Sequence, residues 1–102
     1  MKRYKPDGYY YNIVRVNVKR YRKEKKYTQQ QLAEYADLSM DYISEIESLT
    51  KNKSFSLMTL GRIADVLNID IRNFFITNEE RFAKEKAREK REREKGRKRE
   101  RR

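Results

Sequence analysis

Between Thr28 and Ser48 the chain reads TQQQLAEYADLSMDYISEIES, and this stretch constrains the fold more than any other. It holds two helical patterns of about two turns each, Gln29 to about Ala36 and Met40 to about Glu47, separated by three residues without Pro or Gly. Isolated helices shorter than about 12 residues are marginal in water, so the two must be held by packing at a defined relative angle. Leu32 and Ala36 face inward from the first, and Ile43 and Ile46, three apart, from the second. Ala33 is small where the helices cross, and Leu38 plugs the space beneath both. Nearly every other position is polar, so the outer face of the second helix is left free.

The flanking pattern completes an all-α domain. Val14, Val18 and Tyr21 share one face of a first helix, which Asn12 is suited to cap; Arg15, Lys19, Arg20, Lys23, Lys25 and Lys26 occupy its remaining faces. β-Branched valines leave a strand open as an alternative for the first few of residues 9–18. Thr28 and Gln31 form a capping box, and Ser39 caps the next helix. Ser56 caps a fourth helix, with Leu57, Leu60, Ile63, Ala64 and Leu67 at helical spacing. Gly61 inside it costs about 1 kcal/mol relative to Ala, a cost tolerated if another helix packs closely there. Asn68 ends that helix in the left-handed conformation, and Asp70 caps a short fifth helix, Ile71 to about Phe75. The expected core is Val14, Val18, Leu32, Ile43, Ile46, Leu60, Ile63, Leu67, Ile71 and Phe74.

Three segments follow: a basic Tyr-rich arm over residues 1–11, a five-helix domain over 12–77, and a highly charged basic tail over 78–102. Lys5-Pro6-Asp7-Gly8 reads as a β-turn, and the surrounding tyrosines either pack on the domain or touch nucleic acid. The tail's apolar groups are only Phe82, Ala83 and Ala87. Thr77 with Glu80 makes a further capping box, and Glu80–Lys84, Glu89–Arg93 and Glu94–Lys98 are helix-stabilising pairs. The tail therefore reads as a solvated helix that frays after Gly96, without the apolar heptads of a coiled coil.

Charge is unevenly placed. Formal net charge is +11, distributed as +8 over residues 1–27, −3 over 28–78 and +6 over 79–102. Basic ends around a nearly neutral centre favour a polyanionic partner. With no His and no Cys, thiolate and imidazole metal sites, disulfides and His-based acid–base chemistry are excluded. No glycine-rich phosphate loop or carboxylate pair is present, so neither an enzyme nor a bound cofactor or metal is expected. No apolar run approaches the roughly 20 residues of a membrane span, and no signal-peptide pattern is present. A cytoplasmic protein, with no membrane role, is the expectation.

Residues 14–75 resemble the Cro/repressor-type (Xre-type, lambda-repressor-like) helix-turn-helix family, on TQQQLAEYADLSMDYISEIES followed by SFSLMTLGRIADVLNIDIRNFF. The resemblance covers neither arm nor tail. It implies a five-helix domain whose third helix enters the major groove of double-stranded DNA while the second bridges the backbone. It implies that Met40, Asp41, Ser44 and Glu45 face the bases. It places Thr28 and its amide, Gln29, Gln30, Ser39, Tyr42, Ser48, Lys51, Asn52 and Lys53 along the backbone, with core packing an equal alternative for Tyr42. It also implies a structural ion pair between Arg22 and Glu47. Three departures from the family pattern stand out: Asp37 where Gly is common in the turn, Leu49 where Gly often follows the third helix, and acids with no Lys or Arg in that helix. The function implied is a repressor-like, sequence-specific transcriptional regulator binding as a homodimer. The competing expectation is a protein-interaction module, or an antitoxin-type protein with a protein partner, built on the same fold.

Overall fold

The computed structural model describes residues 3–100, with side chains through residue 95. Five α-helices and one 3₁₀ helix follow in order: α1 Tyr9–Glu24, α2 Gln29–Ala36, α3 Met40–Glu47, α4 Leu57–Leu67, the 3₁₀ helix Ile71–Phe75, and α5 Asn78–Glu100. Among the described residues there is no strand, which settles the alternative for residues 9–18 in favour of helix.

The core forms where sequence periodicity placed it. Val18, Leu32, Ile43, Ile46, Ile63, Leu67 and Phe74 are fully enclosed, with Val14, Ala33, Ala36, Leu60 and Ala64 nearly so. Leu38, Tyr42 and Ile71 are half-buried against this cluster. Leu57, read as part of the apolar face of α4, is instead exposed at its first turn. Phe55, which no periodic pattern marked, is buried against Tyr11, ring centroids 4.9 Å apart.

Caps were legible locally. Thr28 Oγ1 accepts from the Gln31 amide, and Gln31 Oε1 accepts from the Thr28 amide. Ser39 and Ser56 cap α3 and α4 through the amides of Tyr42 and Thr59. Three helices end in the same way, each with a non-glycine residue in the left-handed region: Lys26 at φ 61°, Asp37 at φ 56° and Asn68 at φ 54°. In each, the next amide reaches back five residues to a carbonyl, Tyr27 to Arg22, Leu38 to Ala33 and Ile69 to Ala64. These are Schellman closures, which usually carry Gly. Asp37 thus supplies the turn conformation that Gly supplies elsewhere.

Several expectations need correction. α1 begins at Tyr9, not after Asn12, and its N-cap is Gly8 at φ 83° with no side-chain cap. The turn lies one residue later than expected: the Tyr9 amide donates to Pro6 O, which puts Gly8 at the position that needs positive φ. The turn therefore hands the chain straight into α1, and Tyr11 gains its packing on Phe55. Residues 9–11, read as part of the arm, are thus helical; residues 1 and 2 lie outside the described residues. Residues 71–75 form a 3₁₀ rather than an α-helix. Nothing lies within 4 Å of a Cβ built on Gly61, so no close helix crossing explains that glycine. α3 stops at Glu47 because Ser48 is extended, at φ −86° and ψ 123°, so a glycine at position 49 is not required. α5 starts where expected but with half of the expected capping box: Thr77 Oγ1 accepts from the Glu80 amide, and among the described residues the Glu80 side chain does not return a bond to the Thr77 amide; its backbone stays helical past Gly96 to Glu100. Among the described residues, the expected Glu80–Lys84 and Glu89–Arg93 pairs do not close to ion-pair distance, and the side chain of Lys98, with the Glu94–Lys98 pair, lies outside them.

Candidate nucleic-acid interface

α3 is held from its C-terminal end. The last carbonyls of a helix have no partner within it and concentrate partial negative charge. Arg15, on α1 and only 1 % exposed, answers this. Its Nη1 donates to the carbonyls of Glu45 and Ile46, both at 2.9 Å, and its Nη2 to that of Lys53. The guanidinium lies over the Phe55 ring, 5.3 Å from its centroid. Burial pushes the Arg15 pKa below its ordinary value, but the group stays charged at any physiological pH. Apolar spacing puts Arg15 off the core face of α1, yet among the described residues it is the largest fully buried side chain.

The Arg22–Glu47 pair implied by the resemblance is present and buried. Arg22 Nε donates to Glu47 Oε2 at 2.7 Å and Nη2 to Oε1 at 2.9 Å, a bidentate fork. Arg22 Nη1 also donates to Tyr27 O, and Gln29 Nε2 donates to Glu47 Oε1 at 3.2 Å. Two guanidiniums from one helix therefore grip the last turn of α3.

Its opposite end is open. Met40, Asp41 and Ser44 are exposed on α3, whereas Glu45 is half-buried and pairs with Lys53 at 3.3 Å. The structure thus changes the electrostatic reading of this acidic helix. Glu47 is neutralised by Arg22 and Glu45 faces Lys53, so Asp41 alone among the three acids carries no ion pair among the described residues. Asp41 also sits in the first turn, where the helix dipole favours an anion.

The residues implied for the backbone fall on both sides of α3. Gln30, Ser39, Lys51, Asn52 and Lys53 are exposed, although Gln30 Nε2 reaches Glu34. Gln29 is half-buried because its amide braces Glu47. Ser48 is half-buried, and its Oγ accepts from the amides of Thr50 and Lys51, folding the loop that follows α3. Tyr42 packs partly on the core. One expectation is overturned: the Thr28 amide is not free for a phosphate, because Gln31 Oε1 takes it at 2.9 Å. The capping box, visible in the sequence, already implied this.

Asn17, 1 % exposed on α1, was missed altogether. Its Nδ2 donates to Phe74 O and Ile76 O, both at 2.8 Å, and its Oδ1 accepts from Arg81 at 3.0 Å. Arg81 also lies over the Tyr21 ring, 5.3 Å from its centroid, and Arg20 donates to Asn78 Oδ1. These contacts tie the start of α5 to α1. Asn17 stands three residues after Val14 and four before Tyr21, so helical spacing puts it on the buried face, but nothing local signals the distant groups that satisfy it. Among the described residues no helix is long and apolar enough to cross a membrane.

Known proteins are similar to this chain in sequence and in fold. The chain is 44 % identical over 68 residues to the immunity repressor protein of Bacillus phage phi105; the match takes in 67 % of this chain and 44 % of that protein. The chain therefore spans less than half the length of the curated relative it matches. Among solved structures, a hypothetical transcription factor from Neisseria superposes with a TM-score of 0.67 at 19 % identity, covering 81 % of this chain and 93 % of that one. The clp gene regulator ClgR from Corynebacterium glutamicum gives 0.64 at 24 % identity, covering 86 % and 92 %. Identities this low speak to the fold alone. The family model described as helix-turn-helix matches residues 18–74, more than half of the chain and the whole of the α2–α3 unit, and the chain belongs to the helix-turn-helix family.

Proposed function

We propose that this chain is a repressor-like, sequence-specific DNA-binding transcriptional regulator that works without catalysis, in the cytoplasm, as a homodimer. α3 enters the major groove, with Met40, Asp41, Ser44 and Glu45 toward base edges. Gln29, Gln30, Ser39, Tyr42, Ser48, Lys51, Asn52 and Lys53 lie toward the phosphates, and Thr28 contributes through its side chain rather than its amide. The observation that carries this reading is the one-ended grip on α3: Arg15 and Arg22 fix its last turn, while Met40 and Asp41 stand exposed at the other end and Ser44 on the helix between. A rod so held presents a rigid outer face, which base readout requires. The name of the phage relative, an immunity repressor, points the same way.

A carboxylate at Asp41 accepts from cytosine N4, so a cytosine is expected within each half-site. Two α3 helices of a dimer are expected to read half-sites about 34 Å apart. Selection from a random duplex library tests this: enrichment of near-palindromic sites at one-turn spacing is expected, and recovery of no motif would overturn sequence-specific binding. The acidity of α3 favours a second reading, in which Asp41 and its neighbours face a protein, as in an antitoxin-type partner. Salt dependence separates the two. Duplex binding weakens by about 0.9 log units per phosphate contact per log unit of salt, and a flat profile would favour the protein partner.

A further inference from the structure

α5 is more than a solubilising tail. After its first turn no hydrogen bond joins it to the rest of the protein among the described residues, the last being those of Arg81. It carries no apolar face: Phe82, Ala83 and Ala87 are its only apolar side chains. What it carries is a ridge. Arg81, Lys84, Arg88, Arg91 and Lys95 recur at alternating steps of three and four residues, the spacing that lines side chains along one side of a helix. In the sequence the same spacing continues to Lys98 and Arg102. Consecutive members are like charges at i, i+3 or i, i+4, an arrangement that disfavours an isolated helix. Glu85, Glu89 and Glu92 sit one residue after Lys84, Arg88 and Arg91, on the neighbouring ridge, so acids are abundant but do not interrupt the basic line. Lys86, Lys90 and Arg93 lie on the other side of the helix, with no hydrogen bond or ion pair to the domain among the described residues. The Arg81 ridge has one: Asn17 and Tyr21 hold Arg81, which fixes the rotation of α5 about its axis relative to α1.

We infer that Lys84, Arg88, Arg91 and Lys95 form a second nucleic-acid contact, a rod laid along the phosphate backbone of the same duplex that α3 reads, beyond the half-site; this rests on the DNA-binding reading of α3. All four side chains are exposed, and none is in an ion pair among the described residues. From Lys84 to Lys95 the ridge runs about 17 Å at 1.5 Å per residue, which matches about five phosphates of one strand at 3.4 Å along the duplex axis. An anionic membrane is the poorer partner, because a helix lying on a bilayer needs an apolar face. The contact is sequence-independent and supplies affinity that an acidic α3 does not.

The sequence offers its own control. Exchanging neighbours in three places (K84E/E85K, R88E/E89R, R91E/E92R) preserves composition and net charge in the full-length chain and turns three basic charges about 100° around the helix, off the line that Arg81 anchors; it also sets like charges at positions 80/84 and 89/93, which the helix-content measurement monitors. Binding is measured to a mixed-sequence DNA duplex of about four helical turns, with double-stranded RNA and anionic vesicles as parallel probes and circular dichroism to monitor helix content. With helix content unchanged, the exchanged protein is expected to lose about 2.7 from its log–log salt slope, three contacts at about 0.9 each, and on the order of a hundredfold in affinity near 0.1 M salt. Equal duplex binding and an equal slope in the two proteins would overturn the ridge while leaving the α3 reading intact. So would an effect of the exchange confined to RNA or vesicles. Failure of the unaltered protein to bind any duplex would instead remove the reading on which the ridge rests. Lys84→Gln with Arg88→Gln, which introduces no new acid, guards against loss of helix and is expected to lower the slope by about 1.8.

Discussion

Replacing both members of the Arg22–Glu47 pair is expected to cost less stability than replacing either one. The pair is enclosed, with side chains 10 % and 3 % exposed, so each charge has lost most of its water. Removing one partner of a buried pair typically costs about 3–5 kcal/mol, because the other is left buried without compensation. That is a large part of the roughly 5–15 kcal/mol that holds a domain folded. Arg22→Met leaves the Glu47 carboxylate with only the Gln29 amide and orphans the carbonyl of Tyr27. Glu47→Leu leaves the guanidinium with Tyr27 O alone. With both replaced, the site is apolar and of similar volume, a change that is often neutral or even stabilising for buried pairs, offset here by the orphaned Tyr27 carbonyl at about 1–3 kcal/mol. The double variant is therefore expected to lie about 1–3 kcal/mol below the parent, against about 3–5 for each single change, giving a coupling energy of at least about 3 kcal/mol. Urea unfolding of all four proteins measures it, provided the slopes agree. Additivity within about 0.5 kcal/mol, the behaviour of sites without shared partners, would refute the claim that the fork is desolvated and mutually dependent.

Other outcomes follow from single positions. Gly61→Ala is expected to raise stability by about 0.5–1 kcal/mol, since the new methyl meets nothing within 4 Å and the helix gains propensity; a loss in thermal unfolding would contradict the open space. Lys26→Gly is expected to stabilise by up to about 1 kcal/mol by relieving the left-handed strain at φ 61°, and destabilisation would show that the lysine side chain does more than cover the turn. Arg72 holds the Asp70 carboxyl below its ordinary pKa, first through its side-chain hydrogen bond and then through its amide. That contribution is present above the unfolded-state pKa and is lost as pH falls through the lower folded-state value. The melting temperatures of the parent and Asp70→Asn are thus expected to differ at neutral pH and converge in acid; a gap constant with pH would exclude the ionised contact. Asp41→Asn is expected to change the preferred base at one half-site position, and an unchanged motif in site selection would remove Asp41 from base readout.

What the sequence made legible was local chemistry and periodic burial. Thr28, Ser39 and Ser56 cap their helices with side chains three residues from the amides they satisfy, so a linear reading finds them. Leu32, Ile43, Ile46, Leu60, Ile63 and Leu67 announce the core because water is excluded from one face at a time. The start of α1 was misread because Asn12 is a better cap than Gly8 in isolation, whereas the turn and the Tyr11–Phe55 contact decide the matter in the fold. Arg15 and Asn17 were illegible for a deeper reason. Apart from the Arg81 side chain, 64 positions from Asn17, their hydrogen-bond partners are backbone carbonyls, identical in every residue, lying 30 to 59 positions away. The family resemblance supplied the Arg22–Glu47 pair because both partners are side chains and therefore leave a trace in sequence. It supplied neither Arg15 nor Asn17.

These buried polar groups explain why so short a recognition element can be rigid. Eight residues cannot hold a helix in water, and α3 has no basic residue in its last turn to offset its own dipole. α1 supplies both missing terms. Arg15 brings positive charge to the carbonyls of Glu45 and Ile46, and Arg22 brings it to the Glu47 side chain. Seven residues separate the two arginines, about two helical turns, so they reach α3 from the same side of α1. Charge that the C-terminus of α3 would otherwise present to solvent is thus cancelled within the domain. The dipole's positive end, beside Met40 and Asp41, remains exposed. An orientation set from the buried end, with Met40 and Asp41 left exposed at the open end, gives the helix one direction in which it can meet a ligand.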